Sequence, residues 1–129
     1  MSKIPDDLRY TKDHEYVKTS ADPAVVQVGI TDHAQSELGD VVYVELPKPG
    51  ATLGAGDAFG TIEAVKAVSD LLTPVAGTVA EVNAALASDP ALVNRDPYGG
   101  GWMIKLRVKS PAELATLLSS AEYKKHVGE

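Results

Sequence analysis

The stretch FGTIEAVKAVSDLLTP, residues 59–74, sets a single lysine, Lys66, in the middle of an apolar run. Glu63 stands three residues before it and Asp70 four after. Residues 59–65 and 70–73 read as short strands, and Pro74 closes the second because it offers a ladder no N–H donor. Alternation on both sides predicts a hairpin over 59–74, turning near residues 65–68 with Lys66 at its tip. A lysine at a hairpin tip is ordinarily a solvated charge. Here its neighbours Ala64 and Ala67 are small enough to leave the amine open to a modifying enzyme. Glu63 and Asp70 are placed to orient the ammonium or to mark the turn. Acylation would remove the charge and let an apolar arm lie along the local valines.

Outward from this hairpin the chain repeats the same texture of short strands and turns. AVVQVGI (24–30) puts Val26, Val28 and Ile30 on one face, and VVYVEL (41–46) alternates through Val42, Val44 and Leu46. GTVAEVN (77–83) and MIKLRV (103–108) follow, the latter with Ile104, Leu106 and Val108 inward. Two segments predict helices. Residues 31–40 carry Thr31 or Asp32 as N-cap and Gly39 as a stop. Residues 111–125 show Ser110 as cap, Pro111 at the first turn, Glu113 completing a capping box, and a stripe of Leu114, Leu117, Leu118 and Ala121. The stretches beginning at Pro47 and Pro74 echo each other faintly, which hints at two related β halves. The expectation is one mainly β domain over 1–129 with a few short helices and a C-terminal helix.

Composition removes several classes of function. Twelve basic against eighteen acidic residues leave a net charge of −6, so nothing draws the chain to nucleic acid or an anionic membrane. There is no cysteine, hence no disulfide, thiolate nucleophile or thiolate-bound metal, and any thiol chemistry must arrive on a cofactor. No apolar window approaches the length of a membrane span, and MSKIPDDLRY reads as neither signal nor transit peptide. The expected location is a bacterial cytoplasm.

The remaining motifs read as structural. GAGDAFG (54–60) is one residue too long for a dinucleotide fingerprint and precedes a strand, so it is expected to be a plain turn. His14, His33 and His126 lie far apart in sequence without metal-ligand spacing. Gly99, Gly100 and Gly101 are expected to supply unusual φ values beside Trp102, itself a structural anchor. No acid–base or nucleophile constellation is visible, and the chain is expected not to be an enzyme.

Four long stretches, YTKDHEYV (10–17), VGITDHAQSELGDVVYVELPKPG (28–50), GTIEAVKAVSDLLTPVAGTVAEVN (60–83) and NRDPYGGGWMIKL (94–106), resemble the glycine cleavage system H proteins. These are the lipoyl carriers of that multienzyme system. The resemblance implies a lipoyl/biotinyl-type barrel-sandwich hybrid, with lipoic acid in amide linkage on Lys66 and Glu63 recognised during lipoylation. It also implies a cleft for the loaded arm near Asp13, His14, Glu15 and Asp70. The partners implied are a pyridoxal-phosphate glycine decarboxylase (P protein), a folate-dependent aminomethyltransferase (T protein), dihydrolipoamide dehydrogenase (L protein) and lipoylating enzymes. Ala64, Tyr16, Asp13 and Leu72 depart from the family's usual serine, tryptophan, serine and tyrosine, which bears on the cleft's details. Two other readings are a lipoyl-relay or interaction module and a lipoyl domain of a 2-oxo acid dehydrogenase. Against the latter, Val65 precedes the lysine where such domains usually carry Asp. Val65 and Ala67 also stand where a biotin carrier normally has methionines.

Overall fold

A computed structural model of the chain describes residues 3–128. Its strands are β1 (Arg9–Tyr10), β2 (Glu15–Thr19), β3 (Val25–Ile30), β4 (Val41–Glu45), β5 (Thr52–Leu53), β6 (Ala58–Ala64), β7 (Val68–Leu72), β8 (Gly77–Val82) and β9 (Ile104–Val108). They form a six-stranded sheet in the order β1-β2-β3-β9-β8-β5 and a three-stranded sheet in the order β4-β6-β7, with every pairing antiparallel. One face of each sheet is apolar, and the two supply a shared core. Val26, Val28, Ile104, Leu106 and Val79 come from the larger sheet and Val44, Ile62 and Leu71 from the smaller, all buried. Fully burying an aliphatic side chain of this size contributes about 1.5–3 kcal/mol, so this shared interior is what holds the smaller sheet in place.

β3 and β9 keep the phase expected of them: Val26, Val28, Ile30, Ile104, Leu106 and Val108 are all buried. β4 does not. A bulge between Val41 and Tyr43 shifts its register against β6, so Val41 and Val44 turn inward while Val42 is 55% exposed. The expected alternation through Val42 fails because the extra residue flips the faces on its two sides. β2 escaped the periodicity reading because Glu15, Tyr16 and Val17 are buried in succession without alternation, and β1 because it is only two residues long. The two echoing proline stretches become neighbours: Thr52 pairs with Thr78 and Leu53 with Gly77, and the Val79 N–H donates to the Ala51 carbonyl at 2.9 Å.

The first helix, α1 (Asp32–Leu38), begins and ends where expected. The Thr31 hydroxyl accepts from the Ala34 N–H, and Gly39 closes the helix at φ 79°. Two single-turn helices follow, α2 (Ala85–Ser88) and α3 (Leu92–Arg95). The triple glycine acts through space, not dihedral freedom, since none of its residues has positive φ. A methyl group on Gly101 would stand 2.6 Å from the Leu92 carbonyl oxygen and 2.8 Å from that of Asp96. The loop 54–57 is a turn, with the Asp57 carboxylate accepting from the Gly54 N–H at 2.8 Å.

The expected helix over 111–125 is divided. Pro111–Thr116 forms a 3₁₀ helix, the chain then extends, and α4 (Ser120–Val127) starts afresh. Leu118 is the reason: its N–H and carbonyl bridge to Tyr10, which extends the larger sheet's edge by one pair. The stripe of Leu114, Leu117, Leu118 and Ala121 therefore is not one helical face, and Ala121 is exposed. The capping box is real but sits at Ser119 and Glu122, while the Ser110 side chain caps nothing. Tyr123 of α4 completes a second, aromatic cluster with Ile4, Leu8, Tyr10, Tyr16 and Tyr98, and its ring stacks on Tyr10 at 4.7 Å. This division predicts opposite results for two alanine substitutions. Ser119→Ala should lower unfolding free energy by about 1 kcal/mol through loss of the cap, and Ser110→Ala should leave it within about 0.5 kcal/mol. Urea denaturation of both variants checks it.

Candidate functional site

Lys66 sits on the turn between β6 and β7, and the backbone explains why the turn falls there. The Ala64 N–H donates to the Ala67 carbonyl at 2.8 Å, closing it, and the Val65 N–H donates to the Asp40 carbonyl at 3.0 Å, tying it to the start of β4. Lys66 is exposed and makes no hydrogen bond or ion pair among the described residues. Its flanks are apolar yet open to solvent, Val65 at 74% and Val68 at 65%. The lysine stem lies across the C-terminal end of α1: a methyl group on Gly39 would stand 3.2 Å from its Cε.

Of the two carboxylates singled out beside the lysine, neither pairs with it. Glu63 lies half-buried in β6, in register with Tyr43 on one side and Val68 on the other. Asp70 lies opposite Thr61 on the edge strand β7 and is exposed. Asp70 instead joins Asp13, His14 and Glu15 in lining a cleft of about 160 Å³. Its other walls are Ile30, Ile62 and Leu71 from the sheets and Ala34, Glu37 and Leu38 from α1. Larger hollows of about 420 and 370 Å³ lie along β5/β8/β9 and β2/β3/β9, but these include none of the carboxylates around the hairpin. The smaller cleft is therefore the one that gathers the acids near the hairpin.

Glu15 is the unusual group in that cleft. It is 3% exposed, and burial raises its carboxyl from 4.5 to about 7, helped by the charge of Asp13. Hydrogen bonds pull the other way, from the Thr11 hydroxyl at 2.7 Å and from the Leu72 backbone. An acid in this state is poised to ionise when a cation arrives beside it. The neighbouring His14 adopts φ 70°, and its imidazole is held below the usual range by burial and by the nearby His33 and His126. The three histidines, distant in sequence, thus meet in space: ring centroids lie 4.7 Å apart for His14 and His33 and 5.6 Å for His14 and His126. His14 is oriented through Nδ1, 2.8 Å from the Tyr123 hydroxyl, which also contacts the Thr31 hydroxyl at 2.7 Å. No group of three or more His, Asp or Glu among the described residues is placed to hold a metal ion.

Sequence reading identified the hairpin and the carboxylates but passed over Gly39, Asn94 and the α1 wall of the cleft. Gly39 was legible only as a helix stop, and Asn94 only as part of a turn-rich stretch. Their signal lies in tertiary contacts.

A rigid β scaffold that holds one amine out on a tight turn, next to a small acid-lined cleft, has the geometry of a carrier domain. The chain's relatives say of which kind. The model of one protein family, described as Glycine cleavage H-protein, matches residues 8–129. The chain is 56% identical over 126 residues to the glycine cleavage system H protein of Chlorobium limicola, covering 98% of each chain. It is 55% identical over 128 residues to that of Opitutus terrae, covering 99% of this chain and 100% of the relative. A crystal structure of a glycine cleavage system H protein from Mycobacterium marinum superimposes with a TM-score of 0.88 at 40% identity, over 98% of this chain and all of that one. The chain belongs to the glycine cleavage H-protein family, the lipoate-bearing carriers of that system, and has its lipoyl-type barrel-sandwich fold. No helix among the described residues is long and apolar enough to cross a membrane.

The raised Glu15 carboxyl has a stability consequence. Its proton leaves near pH 7 in the native state and near 4.5 in the unfolded state. The native state therefore holds more protons between those values, and stability falls as pH rises across that window. The contribution is complete below about 4.5 and lost above about 7. Glu15→Gln keeps an acceptor for Thr11 and cannot ionise. It should match the parent near pH 4.5 and gain on it up to pH 8, by on the order of 3 kcal/mol. Chemical denaturation of both proteins at the two pH values checks it.

Proposed function

We propose that Lys66 carries the lipoyl group and that the cleft of Asp13, His14, Glu15 and Asp70 receives the loaded end of that arm. The observation that carries this reading is the exposed Lys66 at the hairpin tip, unpaired among the described residues, near the cleft that gathers these carboxylates. The residues present suit the group. The apolar flanks Val65 and Val68 lie open where an acyl chain would leave the amine. The cleft combines apolar walls, Ile30, Ile62 and Leu71, with acids suited to a cationic terminus. The lipoyl group supplies a disulfide that takes up the aminomethyl unit of glycine, chemistry for which this cysteine-free chain has no group of its own.

What the chain contributes is reach, shelter and release. A lysine stem with an eight-carbon acyl chain extends on the order of 12 Å from the backbone by ordinary covalent dimensions. Tethering gives the arm a high effective concentration at each active site that it visits. Glu15 and Asp70 carry the sign needed to hold a protonated amine. A charge-assisted hydrogen bond of this kind is worth roughly 1.5–3 kcal/mol, strong enough to dock the arm and weak enough to release it. His14, fixed by Tyr123, forms part of the same wall. The enzymes served are a glycine decarboxylase, an aminomethyltransferase, dihydrolipoamide dehydrogenase and the lipoylating enzymes, all in the bacterial cytoplasm. The chain itself performs no catalysis in this scheme. The carriage assigned here to Lys66 also separates this reading from an interaction module with an unmodified lysine, through the mass of the purified protein.

Lys66→Arg should keep the fold and the local charge yet abolish both lipoylation and support of glycine decarboxylation. Intact-mass measurement with peptide mapping of protein from lipoate-competent cells reads the first directly. Lipoate on any of the other eight lysines would defeat the assignment. Glu63, exposed enough on the outer face of β6 to be read by a modifying enzyme, is proposed as a recognition residue. Glu63→Ala should slow lipoylation while changing unfolding free energy by no more than about 0.5 kcal/mol. Normal modification rates with a large drop in stability would make Glu63 structural instead.

A further inference from the structure

The lysine stem takes a definite course out of the turn. It lies over Gly39, where a methyl group would stand 3.2 Å from Cε and 3.8 Å from both Cδ and Nζ. Gly39 has φ 79° and ψ −157°, a backbone region essentially reserved for glycine, so the bare surface under the stem and the shape of the chain there have one cause. Gly39 also follows Leu38, which lines the carboxylate cleft. The platform thus adjoins the α1 wall of that cleft and lies under the lysine stem.

One side chain from a distant part of the sequence holds this platform. Asn94, in α3, donates through Nδ2 to the Gly39 carbonyl at 2.8 Å and to the Gln35 side-chain oxygen at 3.0 Å. Its Oδ1 accepts from the Val41 N–H at 2.8 Å. Both donors and an acceptor position of one amide are therefore used on the seven-residue span 35–41, from α1 to the start of β4, an arrangement that leaves the group a single orientation. Between the two clamped residues, the Asp40 carbonyl accepts from the Val65 N–H of the lysine turn. The Asn94 side chain has no hydrogen bond to Lys66 or to the cleft-lining carboxylates, yet every hydrogen bond that side chain makes ends within four residues of Gly39.

We propose that Asn94 is a positioning residue for the Lys66 arm: by clamping residues 39–41 it maintains the glycine platform that directs the lysine stem towards the carboxylate cleft. This rests on the assignment of Lys66 as the attachment lysine. The clamp acts by limiting the directions open to the arm. Loosening it lowers the fraction of time the loaded end spends in the cleft, without changing the lysine, its accessibility or the acids that hold the cargo.

Asn94→Asp tests this, because it keeps the size of the side chain but replaces two donors with a carboxylate facing two oxygens. The first readout uses the unmodified chain: the nuclear Overhauser contact between the Lys66 ε-methylene and the Gly39 α-protons, together with exchange of the Val65 amide. The second uses the lipoylated, aminomethyl-loaded carrier alone and follows release of ammonia and formaldehyde, with Glu15→Gln as a reference for an undocked arm. The proposal expects the contact to weaken, the Val65 amide to exchange faster and the loaded form's lifetime to shorten on the order of fivefold, about the net worth of one hydrogen bond. It also expects lipoylation at Lys66 to continue. If Asn94→Asp does not fold, Gln35→Ala removes one acceptor of the same amide and should give about a twofold effect in the same direction. A folded variant with the contact and the lifetime unchanged overturns the proposal, as does a lost contact with an unchanged lifetime. Mapping lipoate in the parent protein separates the two levels. Lipoate on another lysine sinks the attachment and this inference together, whereas lipoate on Lys66 with an insensitive arm sinks only the role of Asn94.

Discussion

The antiparallel register of β6 and β7 is the constraint on which the rest depends. Glu63 faces Val68, Ile62 faces Ser69 and Thr61 faces Asp70, so only Val65, Lys66 and Ala67 remain to make the turn. A slip of one residue would exchange the two faces of a strand, turning Ile62 outward and moving Asp70 away from the cleft. The core forbids this, because Ile62 and Leu71 are each 1% exposed and packed with the larger sheet. Burial of a few aliphatic side chains thereby places a lysine at one spot on the surface.

The same economy runs through the surroundings of the turn. α1 closes at Gly39 because the chain must reverse into β4, and the glycine that permits the reversal also leaves room for the lysine stem. Bulging of β4 turns Val42 and Tyr43 outward, 55% and 49% exposed, on the smaller sheet that bears the hairpin. The cleft beside it is built from chain segments that meet only in the folded state: the turn before β2, the face of α1 and the edge strand β7. Burial there has chemical meaning. It raises the Glu15 carboxyl to about 7, and a cation arriving beside it would favour the ionised form by compensating for the water it has lost.

The aromatic cluster gives the cleft its stiffness. Tyr123 reaches across from α4 to the His14 imidazole and the Thr31 hydroxyl, linking the C-terminal helix, the cleft wall and the N-cap of α1 through one hydroxyl. That is why the chain breaks its last helix. An unbroken helix over 111–125 would satisfy the leucine spacing locally, but Leu118 pairs with Tyr10, and the restart at Ser119 places Tyr123 on the Tyr10 ring. Sheet pairing and aromatic burial together outweigh local helical preference here.

Much of this was legible in the residues themselves. The period-two runs of β3 and β9, the caps of α1, the hairpin around Lys66 and the mainly β class all follow from local pattern, because strand alternation and capping are properties of a few consecutive residues. The absence of cysteine and the net charge of −6 bounded the chemistry in the same way. Only the tertiary structure decided the bulge at Val41–Tyr43, the division of the last helix, the meeting of His14, His33 and His126, and the clamp of Asn94 on Gly39. Each joins residues distant in sequence or answers to packing against another element, and no local periodicity records such a partner. Glu15 shows the difference most clearly. Its identity as an acid is written in the chain, but its carboxyl lies near 7 only because folding takes the water away from it.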